Sequence, residues 1–237
     1  MRGWQDAVLT RGRQAWSVAI DTLFPPRCGG CGTAGSLWCA ACRQSLAFIL
    51  PPMCDACGEP ATTGLCAKCR AQPLRIEWIR SAVVFQGPVR EAIHHFKYNR
   101  WSSLAGPLGE ALTAAWMAAA PAADWLVPVP LHRARERERG YNQSALLAAE
   151  LGRRVNVHVA PRGLRRVRAT RVQMQLDAAE RRINVAGAFA ADGEWSGRRV
   201  VVIDDVCTTG ATLEACAAAL YSAGAAAVYG LTLARTP

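Results

Sequence analysis

Two adjacent carboxylates, Asp204 and Asp205, follow a run of β-branched residues that begins at Val200. Such a run predicts a buried strand, and open α/β sheets bind ligands beyond the carboxyl ends of their strands. A hydroxyl-rich glycine turn comes next and opens a predicted helix; it consists of Thr208, Thr209, Gly210, Ala211 and Thr212. Helix N-termini bind phosphate, whereas carboxylates repel phosphate but suit sugar hydroxyls and Mg²⁺. The pattern predicts a ribose 5-phosphate site in which both carboxylates face solvent.

Eight of the ten cysteines form four C-x-x-C pairs within residues 28–69. The pairs are Cys28 with Cys31, Cys39 with Cys42, Cys54 with Cys57, and Cys66 with Cys69. Two pairs complete a closed tetrahedral site, so we expect two structural zinc ions. Iron–sulfur clusters and disulfides fit less well, because the pairs are symmetric and neither a redox partner nor secretion is indicated. Sequential pairing is favoured, and crossed pairing of the first pair with the third stays open.

The composition is that of a globular protein, since 51% of residues are hydrophobic and 19% are charged. It excludes extended disorder and coiled coil. The sequence has neither an apolar run of membrane-spanning length nor a signal peptide, and its crowded thiols favour a reducing compartment, so we expect a cytoplasmic protein. The formal net charge is +10, and residues 132–182 contain 13 Arg against five acidic residues. Such a basic segment favours phosphate-bearing ligands.

Three regions are expected along the chain. Residues 1–27 carry large apolar residues at helical spacing and predict an amphipathic helix, which we expect to dock on apolar surface rather than on a membrane. Residues 28–72 form a double zinc ribbon that the metal folds, since so short a module buries little core. Residues 78–237 alternate strand and helix patterns, which predicts a parallel sheet with helices on both faces. Strands are expected at 79–85, 125–129, 155–159, 198–205 and 226–233, and helices at 88–98, 103–119, 142–154, 176–185 and 211–223.

The stretch VVVIDDVCTTGATL at residues 200–213 closely resembles the phosphoribosyl-pyrophosphate motif of type I phosphoribosyltransferases, and the sequence has no P-loop motif. Together with the cysteine module, three further segments make the chain similar to the ComF family, which is linked to DNA uptake in competent bacteria. They are HHFKY at 94–98, VPVPLH with RGYNQ within 127–143, and T-x-x-Q-x-x-L at 170–176. The resemblance covers nearly the whole chain and implies a phosphoribosyltransferase-like domain behind a double zinc ribbon.

The same resemblance implies roles for individual residues. Asp204 and Asp205 are expected to bind the ribose 2′- and 3′-hydroxyls, and residues 208–212 the 5-phosphate. The loop after a core strand is expected to bind pyrophosphate; the matching residues are Pro130, Leu131, His132 and Arg133, with Arg139 close behind. Further expected substrate contacts are Lys97, Tyr98, Thr170 and Gln173. Residues 165–175 resemble a mobile loop that closes over the reaction, although their arginines can equally form a solvated face.

Two functions stay open on the sequence. The first is a magnesium-dependent phosphoribosyltransferase with an unidentified acceptor; a purine is not expected, because Thr208 stands where purine-specific relatives carry an acidic residue. The last strand is expected to end at residue 233, which leaves the zinc module as the candidate cover for the acceptor. The second function is a non-catalytic factor that holds single-stranded DNA on the zinc module and the Arg-rich segment, with the DNA-uptake machinery as partner. Cys207 and Cys216 are expected to pack rather than react.

Overall fold

A computed structural model of the 237-residue chain describes residues 25–60, 62–168 and 178–237. The amphipathic helix expected within residues 1–27 therefore lies almost wholly outside the described residues. Among the described helices, none is long and apolar enough to cross a membrane.

Seven strands lie in the described residues, and five of them form one sheet. In chain order they are β1 (Ile79–Val84), β2 (Trp125–Pro128), β3 (His158–Val159), β4 (Leu164–Arg166), β5 (Phe189–Ala191), β6 (Arg199–Cys207) and β7 (Ala227–Arg235). The large sheet has the order β1-β7-β6-β2-β3, and every neighbouring pair is parallel. β4 and β5 pair antiparallel beside it. The predicted parallel sheet is confirmed.

Eight α-helices lie in the described residues. They are α1 (Ala40–Gln44), α2 (Ala67–Ala71), α3 (Gly87–Tyr98), α4 (Ala105–Ala119), α5 (Arg133–Arg139), α6 (Gln143–Val155), α7 (Ala178–Val185) and α8 (Ala211–Ser222). β6 shows how the helices cover both faces, because successive side chains of a strand point to opposite sides. Val201 and Ile203 pack with α3, α4 and α6, whereas Val200 and Val202 pack with α8 and the β4–β5 pair.

The cysteine module is joined directly to the sheet. Residues 46–50, between the two halves of the module, run antiparallel to β1, with Phe48 opposite Val83. The Ile49 N–H donates to the Ala82 carbonyl at 2.9 Å, and the Val84 N–H donates to the Ala47 carbonyl at 2.9 Å. The module thus supplies an additional edge to the sheet.

Three expectations about local structure are corrected. The sequence pattern predicts no helix between the strand at 125–129 and the helix at 142–154, but Arg133–Arg139 form α5, in which Arg and Glu alternate without an apolar face. The last strand continues two residues past the predicted end and includes Arg235. Arg165 and Arg166, expected in a mobile loop, belong to β4 and pair with β5.

Candidate functional site and zinc centres

The two carboxylates lie at the carboxyl end of β6 and are held by two other elements. Asp204 accepts hydrogen bonds from the Ser144 hydroxyl at 2.8 Å and from the Asp205 N–H at 2.9 Å. Asp205 is 7% exposed and pairs with the Lys97 ammonium at 2.8 Å. The expectation of solvent-facing carboxylates is therefore wrong for Asp205, which is buried against Lys97 of α3, while Asp204 is half-buried against Ser144 of α6.

Burial and a neighbouring charge shift the protonation of Asp204. Burial, and next the charge of Asp205, raise the pKa of Asp204 to about 7. The Ser144 hydroxyl and the Lys97 ammonium act in the opposite direction, since both stabilise the carboxylate. The site therefore holds an acid that changes charge near neutral pH.

The threonine–glycine turn lies between β6 and α8. Gly210 is the N-cap of α8 and has a φ of +79°. A Cβ atom at this position would lie 2.8 Å from Ile79 Cδ1, so both the backbone conformation and the space favour glycine. The Thr209 hydroxyl accepts the Ala211 N–H at 3.4 Å, and Thr208 is half-buried. Thr212, in the first turn of α8, lies next along the helix. This N-terminus and its hydroxyls suit a phosphate monoester.

The segment expected to bind pyrophosphate follows β2. Pro130, Leu131 and His132 are half-buried, and His132 caps α5 by accepting the Ala134 N–H on Nδ1 at 3.4 Å. Arg133, the first residue of α5, is exposed. This short helix presents four arginines; they are Arg133, Arg135, Arg137 and Arg139.

Arginines from β4 and α5 come together beside Asp204. Burial, and next the charge of Arg135, lower the pKa of Arg166, while Asp204 acts in the opposite direction. The Arg166 guanidinium lies 5.4 Å from the centre of the Phe189 ring. Arg168 donates to the Asn184 and Ala186 carbonyls at 3.0 and 2.9 Å. The charge of Arg166, from β4, thus acts on Asp204 from a distant part of the chain.

The end of α3 brings Lys97 and Tyr98 to the same place. Tyr98 is 58% exposed, and the Arg139 guanidinium lies 5.3 Å from the centre of its ring. The Tyr141 hydroxyl fixes this helix end, because it donates to the Phe96 carbonyl at 2.6 Å. Thr170 and Gln173, also expected at the site, lie outside the described residues, as does most of the segment 165–175.

Ser144 is the site residue that sequence reasoning missed. It lies in the first turn of α6, where Asn142 accepts the Ser144 N–H at 3.0 Å and donates through Nδ2 to the Val129 carbonyl at 3.0 Å. The signal available in the sequence was the N-cap Asn142 within RGYNQ, which places the next side chains at a helix start near β2.

The eight module cysteines form two groups in chain order, which is the sequential arrangement. Within each group all Sγ atoms lie within 4.8 Å of one another; the groups are Cys28, Cys31, Cys39 and Cys42, and Cys54, Cys57, Cys66 and Cys69. Backbone N–H groups point at the sulfurs, as the Cys66 N–H does at Cys54 Sγ at 3.3 Å. Burial would raise the pKa of the Cys54 thiol, but N–H donors from Cys66 and Cys57 lower it to about 6. Both groups fit tetrahedral zinc bound by four thiolates.

The two remaining cysteines are buried. Burial raises the pKa of Cys207 to about 11, which removes the thiolate at neutral pH. Cys216 lies within α8, and its side chain is fully buried in the core. Both geometries agree with the packing role expected for these residues.

Taken together, the parallel sheet, the turn after β6 and the two cysteine centres define a phosphoribosyltransferase-like α/β protein with a double zinc ribbon. A family model described as "Double zinc ribbon domain" matches residues 19–71. The chain belongs to the ComF family of competence and DNA-utilization proteins. It is 35% identical over 191 residues to the "DNA utilization protein YhgH" of Escherichia coli K12, covering 78% of this chain and 84% of that protein.

Two further relatives carry competence names. "Competence protein F" of Haemophilus influenzae is 29% identical, over 74% of this chain and 80% of that protein. "Competence protein ComFC" of Bacillus subtilis is 29% identical, over 84% of each chain. Among solved structures, a glutamine phosphoribosylpyrophosphate amidotransferase from B. subtilis is similar at 25% identity, with a TM-score of 0.39 over 56% of this chain and 26% of that chain.

Zinc counting tests the two centres. We expect native mass spectrometry to find two zinc ions in the wild-type chain and one in Cys39→Ser, because the serine hydroxyl is a poor replacement for a thiolate ligand. The retained ion belongs to the second centre, so the α/β domain keeps its circular dichroism. Iron, or a single ion in the wild-type protein, contradicts this assignment.

The protonation of Asp204 gives a second prediction, on stability. In the folded protein its pKa is about 7 rather than 3.8, so the folded state retains a proton that the unfolded state has released, and stability is lost as pH rises through about 7. Asparagine has no such proton and keeps an acceptor oxygen for Ser144. Between pH 6 and pH 8 the wild-type protein should lose free energy of unfolding that Asp204→Asn keeps. In urea unfolding the difference between variant and wild type should therefore shift by about 1 kcal/mol in favour of the variant over this range. Asp192→Asn, an exposed carboxylate, is the control; an equal pH dependence in both variants contradicts the burial argument.

Proposed function

We propose that the protein is a magnesium-dependent phosphoribosyltransferase that binds phosphoribosyl pyrophosphate at the end of β6 and serves DNA uptake or utilization in the cytoplasm, with an acceptor still to be identified. The observation that carries this proposal is the juxtaposition of a carboxylate pair with a threonine–glycine turn at the start of α8. Carboxylates suit ribose hydroxyls, and the turn suits the 5-phosphate. A single sugar phosphate carries the hydroxyls for the carboxylates and the phosphate for the turn.

In this proposal each group of residues has one task. Asp204 and Asp205 accept the ribose 2′- and 3′-hydroxyls, and residues 208–212 donate to the 5-phosphate. The leaving pyrophosphate is bound by the segment after β2, together with cationic side chains from α3 and α5; these are Pro130, Leu131, His132, Arg133, Arg139 and Lys97. Tyr98 supports Arg139 through its ring. Thr170 and Gln173 are proposed to complete the site from the segment that closes over it.

Positioning and charge neutralisation account for the chemistry. Transfer at the anomeric carbon passes through an oxocarbenium-like state while negative charge grows on pyrophosphate, so fixed cations near the leaving group stabilise the transition state. Lys97 and the α5 arginines supply such cations from this chain. The oxygen donors Asp204 and Asp205 also fit magnesium, which neutralises pyrophosphate charge when bound.

Titration calorimetry tests the proposal. We expect the wild-type protein to bind phosphoribosyl pyrophosphate with Mg²⁺, and Asp205→Asn to bind it at least 100-fold more weakly, because hydrogen bonds to a charged acceptor contribute about 1.5–3 kcal/mol each. Asp124→Asn is the matched control: it removes the same charge from the ion pair with Arg199 at the opposite end of the strands. Binding of wild-type strength in both Asp204→Asn and Asp205→Asn rules out the ribose assignment, and pyrophosphate release with candidate amine acceptors then tests catalysis.

A second candidate function, the holding of single-stranded DNA, is favoured by the exposed arginines of α5 and by the relatives' names. The sequence predicts this role for Arg165, Arg166, Arg168 and Arg171. Arg165 pairs with Asp192 at 2.8 Å and Arg168 binds main-chain carbonyls, whereas Arg171 lies outside the described residues. Arg133, Arg135 and Arg137 are exposed, so they are the better candidates.

Salt dependence tests this second function. Each arginine that contacts a phosphate contributes about 0.7 to the log–log slope of affinity against salt for single strands, so the double variant Arg133→Gln with Arg137→Gln should lower the slope by about 1.4. Arg162→Gln, an exposed arginine outside α5, should leave it unchanged. Fluorescence anisotropy with an oligonucleotide gives the slope; equal slopes in all three proteins exclude α5 from DNA binding.

A further inference from the structure

Arg235, near the end of β7, is a buried cation between the second zinc centre and the turn after β6. Its side chain is 6% exposed. Nη1 donates to the carbonyl of the zinc ligand Cys57 at 2.9 Å, and Nη2 pairs with the Glu59 carboxylate at 2.8 Å. Nη1 also lies 3.4 Å from the sulfur of Cys207, the residue directly before Thr208. One guanidinium therefore contacts both sites.

Ile79 provides a second contact between the same two places. Its N–H donates to the Ala56 carbonyl at 2.7 Å, and a Cβ atom added to Gly58 would lie 2.5 Å from its carbonyl oxygen. On the other side, a Cβ atom at Gly210 would lie 2.8 Å from Ile79 Cδ1. The Cys54–Gly58 turn and the threonine–glycine turn are thus both closely packed against Ile79 of β1.

The first zinc centre packs elsewhere. Added Cβ atoms at Gly29 and Gly30 would meet Leu104 at 2.9 Å and Pro88 at 2.7 Å, and Arg43 pairs with Glu110 of α4. These contacts place the first centre against α3 and α4. A structural change in the first centre would therefore disturb α3 and α4, whereas a change in the second would disturb β1 and the threonine–glycine turn.

We propose that Arg235 is a positioning residue through which zinc at the second centre and a phosphate monoester at residues 208–212 stabilise each other. The identity of the phosphate ligand rests on the proposed function. Loss of zinc would free the Cys57 carbonyl and Glu59 to move away, which leaves a buried cation without its partners and disturbs β6 where the turn begins. Because coupling between two bound ligands is reciprocal, a ligand that orders the turn also slows loss of this zinc ion.

Cysteine labelling during zinc removal tests the coupling in the full-length wild-type protein. The protein is treated with EDTA and N-ethylmaleimide, with and without ribose 5-phosphate, and peptide mass spectrometry reports the two groups of four cysteines separately. We expect ribose 5-phosphate to slow labelling of the second group at least fivefold and to leave the first group unchanged. Equal protection of both groups overturns the proposal. So does the absence of protection in both groups when calorimetry shows that ribose 5-phosphate binds. In either case the proposed function stands.

Two substitutions locate the coupling. Arg235→Met should abolish the protection, and Arg235→Lys should restore little of it, because a single ammonium cannot reach all three partners. Arg80→Met is the matched control: Arg80 donates to the Cys54 and Asp55 carbonyls at 3.4 and 2.9 Å, so it supports the same centre through carbonyls other than the one that Arg235 binds. This variant should lose zinc faster and still be protected by ribose 5-phosphate. Retained protection in both Arg235 variants overturns the role of Arg235.

A ligand-free measurement separates this proposal from the proposed function. Amide hydrogen exchange of residues 207–212 should rise at least fivefold in Arg235→Lys, and also in wild-type protein from which one zinc ion has been removed at the second centre. If ribose 5-phosphate and phosphoribosyl pyrophosphate fail to bind, the proposed function is wrong. Amide hydrogen exchange then remains as the test of whether the second zinc centre stabilises residues 207–212. Unchanged exchange in both samples contradicts the coupling whatever the ligand result.

Discussion

Two neighbouring carboxylates at the end of a buried strand are the constraint around which this protein is organised. Like charges so close, and shielded from water, cannot both be ionised cheaply, so the fold must bring hydrogen-bond donors and cations to them. Lys97 reaches Asp205 from α3, and Ser144 reaches Asp204 from α6. Those two helices and α4 form one layer against the sheet, so the packing of that layer and the charge balance of the site depend on each other.

The zinc module is constrained by its small size. About forty residues cannot bury enough apolar surface to fold alone, and two tetrathiolate centres replace the missing core. The module is then fixed to the sheet by main-chain pairing along β1 and by Arg80 and Arg235. Apart from the ion pair between Arg235 and Glu59, these contacts end on a backbone carbonyl or N–H, so their geometry depends mainly on the course of the chain around the metal.

Local patterns in the sequence predicted most of the fold, and contacts between distant segments account for what was missed. The strand before Asp204, the helix after Gly210 and the cysteine spacing are each encoded within a few residues. α5 was not predicted because its alternating Arg and Glu residues have no apolar period, although Arg133 and Glu136 stand three residues apart, a spacing at which opposite charges favour a helix. Nothing local shows that Ser144 meets Asp204 across 60 residues, or that Arg235 reaches Cys57.

The antiparallel pairing of residues 46–50 with β1 has a consequence for synthesis on the ribosome. An unpaired sheet edge is a template for aggregation, and β1 lies at the edge of the five-stranded parallel sheet. Because chains fold from the N-terminus as they emerge, the metal-bound module precedes β1 and is ready to pair with it before β7, its other neighbour, has been made. We therefore expect a chain made without zinc to leave that edge of β1 uncovered, so that metal binding protects the sheet from aggregation as well as folding the module.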